Sequence, residues 1–125
     1  MMNAYTVRVG WADTDSYQIV HHPVYLIWIE EAILEEISIH PREYVLESPP
    51  ALLRIISFRA KFIHPAFLGS HVTIRVKPLD RKSIGKEKNS FFRFSVQIDD
   101  LSNKQLVLTA NVTVDISDGL IPPGV

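Results

Sequence analysis

Asp13, Asp15, His21 and His22 lie close together between Trp11 and Pro23, and they form the densest group of chemically competent side chains in the sequence. A carboxylate in such a group can attack a carbonyl carbon or activate a water molecule. Pro23 suits the first turn of a helix, where its missing N–H would have had no partner, so His22 sits near an N-cap. The free N–H groups and the dipole at a helix start present positive partial charge to a carbonyl oxygen that is becoming an oxyanion. Asp15 lies nearer along the chain to that helix start than Asp13 and is the better candidate for the reacting carboxylate. The competing reading of either aspartate is a turn or capping residue.

Other chemistries lack the residues they need. Cysteine is absent, which removes thiolate nucleophiles, disulfides and Cys-ligated metals. Adjacent His21-His22 does not give the same-face spacing of a His-x-x-x-His pair and no HExxH pattern occurs, so neither a metal site nor a cofactor is expected. There is no P-loop, GxGxxG or GxSxG motif. His40, His64 and His71 stand apart from the Asp-His group and read as structural or surface residues.

Elements must hold the group in place. Tyr5, Val7, Val9 and Trp11 alternate with Thr6, Arg8 and Gly10, predicting a strand over 5–11 with one face buried, and the run from Asp13 to Ser16 breaks it. From Pro23 to about Ser38 the period becomes helical. Leu26, Ile29, Ile33 and Ile37, with Tyr25, Ala32 and Trp28 alongside, make the apolar face, and Glu30, Glu31, Glu35 and Glu36 lie away from it. A short helical turn over 40–46 stops at Ser48-Pro49-Pro50. Four strands follow, over 51–62, 70–78, 90–98 and 105–116, joined at His64-Pro65 with Gly69, around Gly85 and at 99–103. The prolines of 118–125 oppose a further internal strand.

These elements predict an α+β protein with one long helix packed on an antiparallel sheet, forming a single domain over 1–125. A lone sheet exposes edges, and the last strand carries apolar side chains in both registers at Val107-Leu108, so pairing of subunits is expected. The formal net charge is −1, from 13 basic and 14 acidic residues, which gives no broad attraction to nucleic acid. Phe91, Phe92 and Phe94 therefore read as core rather than as a base-stacking platform. The N-terminal residues lack the pattern of a signal peptide and no apolar run suits a membrane span, which makes the cytoplasm the expected location. Arg81, Lys82, Lys86 and Lys88 form a local basic stretch, either a solvated loop or a contact for a phosphorylated carrier such as coenzyme A.

The span from Val9 to Glu30, with Asp13-Thr14-Asp15, then His21-His22-Pro23-Val24-Tyr25, then Trp28-Ile29-Glu30, resembles the hotdog-fold acyl-CoA thioesterases of the 4-hydroxybenzoyl-CoA thioesterase group. The resemblance implies a hotdog fold, a long central helix on a curved antiparallel sheet, for the whole domain. It implies that Asp15 is the catalytic carboxylate, as nucleophile or general base, and that His22 supplies a backbone N–H to the thioester oxygen. Tyr17, Gln18 and Tyr25 would then adjoin the substrate, and the region from Phe58 through Phe62 to Phe67 would correspond to a wall met by a partner subunit. Relatives commonly have Gly where this chain has Gln18, and an acidic residue where it has Ser70.

The reading that results is hydrolysis of an acyl-CoA thioester to a carboxylate and free coenzyme A by a homodimer or homotetramer, with the pocket between subunits. The alternatives are hydrolysis of an acyl-carrier-protein thioester, a non-catalytic acyl-ligand binding protein that uses Asp15 as a cap, and a structural oligomerisation domain.

Overall fold

The computed structural model describes residues 3–40, 44, 52–83 and 90–117. They form one helix, α1 (His22–Ile39), and a five-stranded antiparallel sheet of β1 (Asn3–Arg8), β2 (Leu52–Phe62), β3 (His71–Ser83), β4 (Ser90–Asp100) and β5 (Gln105–Ser117), in the spatial order β1-β3-β4-β5-β2. Consecutive strands β3, β4 and β5 pair as a meander, while β1 and β2 flank them and are the two edge strands among the described residues. Among the described residues no helix is long and apolar enough to cross a membrane. Apart from His40 and Tyr44, the expected helical turn over 40–46 lies outside the described residues, as does the tail.

Period-2 patterning decides which sheet face meets the helix. Val72, Ile74 and Val76 of β3, Phe92, Phe94, Val96 and Ile98 of β4, and Leu108, Ala110, Val112, Val114 and Ile116 of β5 are buried on one side. Tyr25, Trp28, Ile29, Ala32, Ile33 and Ile37 of α1 complete that core at helical spacing. Tyr44 closes one end of it, with its ring 5.1 Å from Phe92 and 5.8 Å from Phe94.

Three expectations need correction. The first strand ends at Arg8, and Trp11 opens a 3-10 turn (Trp11–Asp13) in which it is 73% exposed. The Asp13 carboxylate accepts the Gly10 N–H at 2.8 Å and folds the chain away from the sheet before Trp11 could join the buried row. Glu36, placed by period on the polar side of the helix, is buried at 2% exposure. The apolar pair Val107-Leu108 has an internal cause. β4 and β5 pair Ile98 with Leu108 and Asp99 with Leu106, so Val107 is the extra residue of a β-bulge and both side chains turn inward.

That bulge positions more than its own side chain. The Val107 carbonyl accepts the N–H of Ile63 at 2.8 Å and of His64 at 3.2 Å, which anchors the chain just beyond β2 beside the head of the helix.

Candidate active site

The loop between β1 and α1 is a small hairpin. Asp15 N–H donates to the Ile19 carbonyl at 2.9 Å, Gln18 N–H donates to the Asp15 carbonyl at 2.9 Å, and Thr14 bridges Val20 antiparallel. A three-residue hairpin loop of this kind needs a left-handed residue at its last position, normally glycine. Gln18 occupies it at φ 62, so the backbone shape is kept without a glycine. A side chain there costs on the order of 1 kcal/mol in conformational strain. Gln18→Gly is therefore expected to stabilise the protein by no more than about 0.5 kcal/mol once the extra freedom of glycine in the unfolded chain is subtracted, read as a slightly higher urea midpoint with an unchanged slope.

The hairpin is clamped on its other side by 66–68. Val20 N–H donates to the Ala66 carbonyl at 3.0 Å and Leu68 N–H to the Gln18 carbonyl at 3.0 Å. Ala66 N–H in turn donates to the Tyr25 hydroxyl at 3.1 Å, which ties this clamp to the first turns of α1. Burial pushes the Tyr25 hydroxyl above the usual phenol range, opposed by the Ala66 hydrogen bond and reinforced by the negative charge of Asp100. The phenol is thus neutral and acts as an acceptor near neutral pH. Because its folded value is raised, this contribution to stability is complete below the ordinary phenol pKa near 10 and falls away as the pH rises through the folded value. Tyr25→Phe leaves the Ala66 N–H without its acceptor and is expected to cost about 1–3 kcal/mol in a denaturant melt.

Asp15 is half-buried, and its Oδ1 accepts the N–H groups of Tyr17 at 2.8 Å and Ile19 at 3.3 Å. Both bonds end on Oδ1, which leaves the lone pairs of Oδ2 uncommitted to the loop. His21 is the N-cap of α1 and its N–H donates to the Asp13 carbonyl at 3.0 Å; Val24 N–H donates to the His21 carbonyl at 3.0 Å. Pro23 has no N–H, so His22 carries the first uncommitted backbone donor at the positive end of an 18-residue helix.

A cleft of about 200 Å³ opens beside that helix end, lined by Ile19, Val20, His22, Tyr25 and 62–65. The His22 imidazole stacks on Phe62, with ring centroids 4.2 Å apart and planes 7° from parallel. Tyr25 sits 5.7 Å from the same phenyl ring and 5.6 Å from Trp28.

His22, Tyr25 and Phe62 are therefore brought together at the cleft. Asp15 stands on the adjoining hairpin, Gln18 is exposed on that hairpin and Tyr17 is 80% exposed there. Phe58 packs half-buried against the core. Arg81 and Lys82 lie on β3 opposite Phe92 and Phe91, while Lys86 and Lys88 lie outside the described residues. His64, which nothing in the sequence pattern marks, lines the cleft with His22 because the Val107 bulge holds its backbone there. Among the described residues no group of three or more His, Asp or Glu side chains is arranged to hold a metal ion.

A long helix laid across one antiparallel sheet is the architecture of the hotdog fold. The chain belongs to the thioesterase superfamily, which residues 17–84 match; Asp15 lies just before that span. Solved structures share the fold. A probable thioesterase from Bartonella henselae is 19% identical with a TM-score of 0.69, over 94% of this chain and 91% of that one. A 1,4-dihydroxy-2-naphthoyl-CoA thioesterase from Synechocystis is 18% identical with a TM-score of 0.69, over 93% and 81%. A Staphylococcus aureus protein in complex with CoA is 15% identical with a TM-score of 0.70, over 91% and 68%. No curated protein sequence matches the chain significantly.

Proposed function

We propose that this thioesterase-superfamily chain hydrolyses an acyl- or aroyl-CoA thioester to a carboxylic acid and free coenzyme A. The observation that carries the reading is the uncommitted His22 N–H at the head of α1, beside a hairpin whose Asp15 keeps one carboxylate oxygen free of the loop. The thioester carbonyl oxygen accepts the His22 N–H, where the helix dipole stabilises the charge that develops as the carbonyl carbon becomes tetrahedral. Asp15 acts through Oδ2, either by removing a proton from the attacking water or by attacking the carbon itself. The C–S bond then breaks and the thiolate leaves to take up a proton; where Asp15 is the attacking group, water cleaves the acyl–Asp15 anhydride so formed, which releases the acid and restores the carboxylate. The relatives from Synechocystis and Staphylococcus aureus support coenzyme A as the carrier.

Two copies complete the pocket in this reading. A cleft of about 200 Å³ is smaller than the roughly 300–1,000 Å³ that encloses most small-molecule ligands. β2 borders it, is an edge strand of the sheet among the described residues, and exposes Ile56 and Phe62, with Ile63 just beyond its end. A second copy laid along that edge would cover those side chains and supply the missing wall, with Phe58 and Phe62 near the junction.

The test is a thiol-release panel of aromatic, short, branched and long-chain acyl-CoAs, with an acyl-carrier-protein thioester as a further arm, run beside sedimentation of the same sample. Thiol release from at least one CoA thioester by a dimer or tetramer is the expected result. No release from any CoA thioester would reject the substrate, and full activity in a monomer would reject the shared pocket.

A further inference from the structure

The face of the sheet turned away from α1 is polar, cationic and grooved, and the thioester chemistry makes no use of it. Strand register lays its side chains in rows. Lys61 stands opposite Thr109, which stands opposite Gln97; in the next row Arg59 faces Asn111, Asn111 faces Ser95 and Ser95 faces Lys77; in the third, Ser57 faces Thr113 and Thr113 faces Arg93. Two adjoining hollows of about 460 and 300 Å³ lie over these rows and share Arg59 and Asn111.

Charge on this face is not balanced locally. Arg54 pairs with Asp115 at 2.9 Å and Arg75 with Asp99 at 3.7 Å, but Arg59, Lys61 and Lys77 have no carboxylate within ion-pair distance among the described residues. The exposed acids Glu30, Glu31 and Glu35 belong to α1, across the sheet from this face. A chain of net charge −1 is thereby divided into an acidic helix side and a basic sheet side. Stacking two such sheet faces would desolvate Arg59 and Lys77 against like charges, which opposes burial of the hollows in a sheet-to-sheet contact.

The lining also sets the ligand class. Apart from Leu79 in the smaller hollow, the lining offers the hydrogen bonds of Ser57, Ser95, Thr109, Thr113 and Asn111 rather than a wide apolar surface, so an acyl chain gains little here. The row from Arg59 to Lys77 crosses three strand spacings, about 14 Å, which is longer than one phosphate group and suits linked phosphates. Guanidinium groups match phosphate oxygens in bidentate geometry. We propose that this trough binds an organic polyphosphate, held by Arg59, Lys61 and Lys77 with Asn111 between them. Lys61 immediately precedes Phe62, which lines the catalytic cleft from the other side of β2, so the ligand is either the nucleotide end of the substrate's own carrier or a separate nucleotide.

Calorimetric titration of the full chain with inorganic triphosphate and with 3′-phospho-ADP tests the site without any thioester. Both probes are expected to bind, more weakly as salt is raised. The Arg59→Gln/Lys61→Gln double variant, whose changes fall on exposed side chains, is expected to lose roughly tenfold or more in affinity, while Glu30→Gln on the helix changes little. Absence of binding by either probe, or equal binding by the double variant, would overturn the proposal. Displacement of 3′-phospho-ADP by coenzyme A, with KM raised in the double variant for an acyl-CoA but not for the phosphate-free acyl-pantetheine, assigns the trough to the carrier. Binding that coenzyme A does not displace assigns it to a separate nucleotide. Phosphate binding by a protein that releases no thiol from any substrate would uphold the trough and reject the catalytic reading alone.

Discussion

Asp15→Asn is expected to lower the rate of thiol release by about 10²–10⁴-fold, the range associated with removing a positioned acid–base group and equivalent to roughly 3–5 kcal/mol of barrier. Asparagine has nearly the same shape, and its Oδ1 still accepts the N–H groups of Tyr17 and Ile19 that the aspartate now holds at 2.8 and 3.3 Å. What it lacks is a second oxygen able to take a proton or form a bond to carbon. Folding stability is accordingly expected to change by less than about 1 kcal/mol. Asp15→Ala serves as the contrast, because it removes the acceptor as well and should loosen the hairpin. Thiol release and a thermal melt on the same preparations separate the roles. Equal turnover by wild type and Asp15→Asn would leave Asp15 as a turn cap and nothing more. A single turnover in ¹⁸O-labelled water divides the two chemical roles, since direct attack by water labels the product acid alone, whereas attack by the carboxylate exchanges oxygen with Asp15.

The same hairpin shows where sequence patterning is informative and where it stops. Alternation along 90–98 and 105–116 identifies inward-facing Phe92, Phe94, Val96, Val112 and Val114, because burial on one sheet face enforces period 2 over many residues. Helical spacing identifies Ile29, Ile33 and Ile37 for the same reason. Local hydrogen bonds defeat such patterns. The Asp13 carboxylate on Gly10 N–H turns Trp11 out of a row that alternation would extend to it, and one extra residue at Val107 brings two neighbouring side chains inward. Gln18 at φ 62 adopts a shape that its residue type does not announce. His64 reaches the cleft through backbone bonds to Val107, a partner that its own position in the sequence does not indicate. Motif spacing can place the carboxylate and the helix head on neighbouring elements, but it cannot show that Tyr25 and Ala66 join them.

Ile29→Ala is expected to cost about 2–5 kcal/mol, because the side chain is fully buried between helix and sheet and its loss leaves a cavity that the surrounding core only partly fills. For a chain of 125 residues this lowers the thermal midpoint by roughly 8–19 °C. Ile29→Val, which removes one methylene, should cost only about 0.5–1.5 kcal/mol. Catalysis is expected to respond less than stability. The head of α1 is held by His21 N–H on Asp13, Val20 N–H on Ala66 and Tyr25 on the Ala66 N–H, and none of these bonds depends on Ile29. Well below its melting temperature, Ile29→Ala should therefore keep thiol release within about tenfold of wild type, since one core cavity leaves the His22 N–H anchored. Loss of activity at temperatures where the fold is intact would mean that the seat of the helix, rather than these local bonds, sets the position of the His22 N–H. In that case the apolar stripe of α1 would govern the geometry of the reaction as well as the stability of the fold.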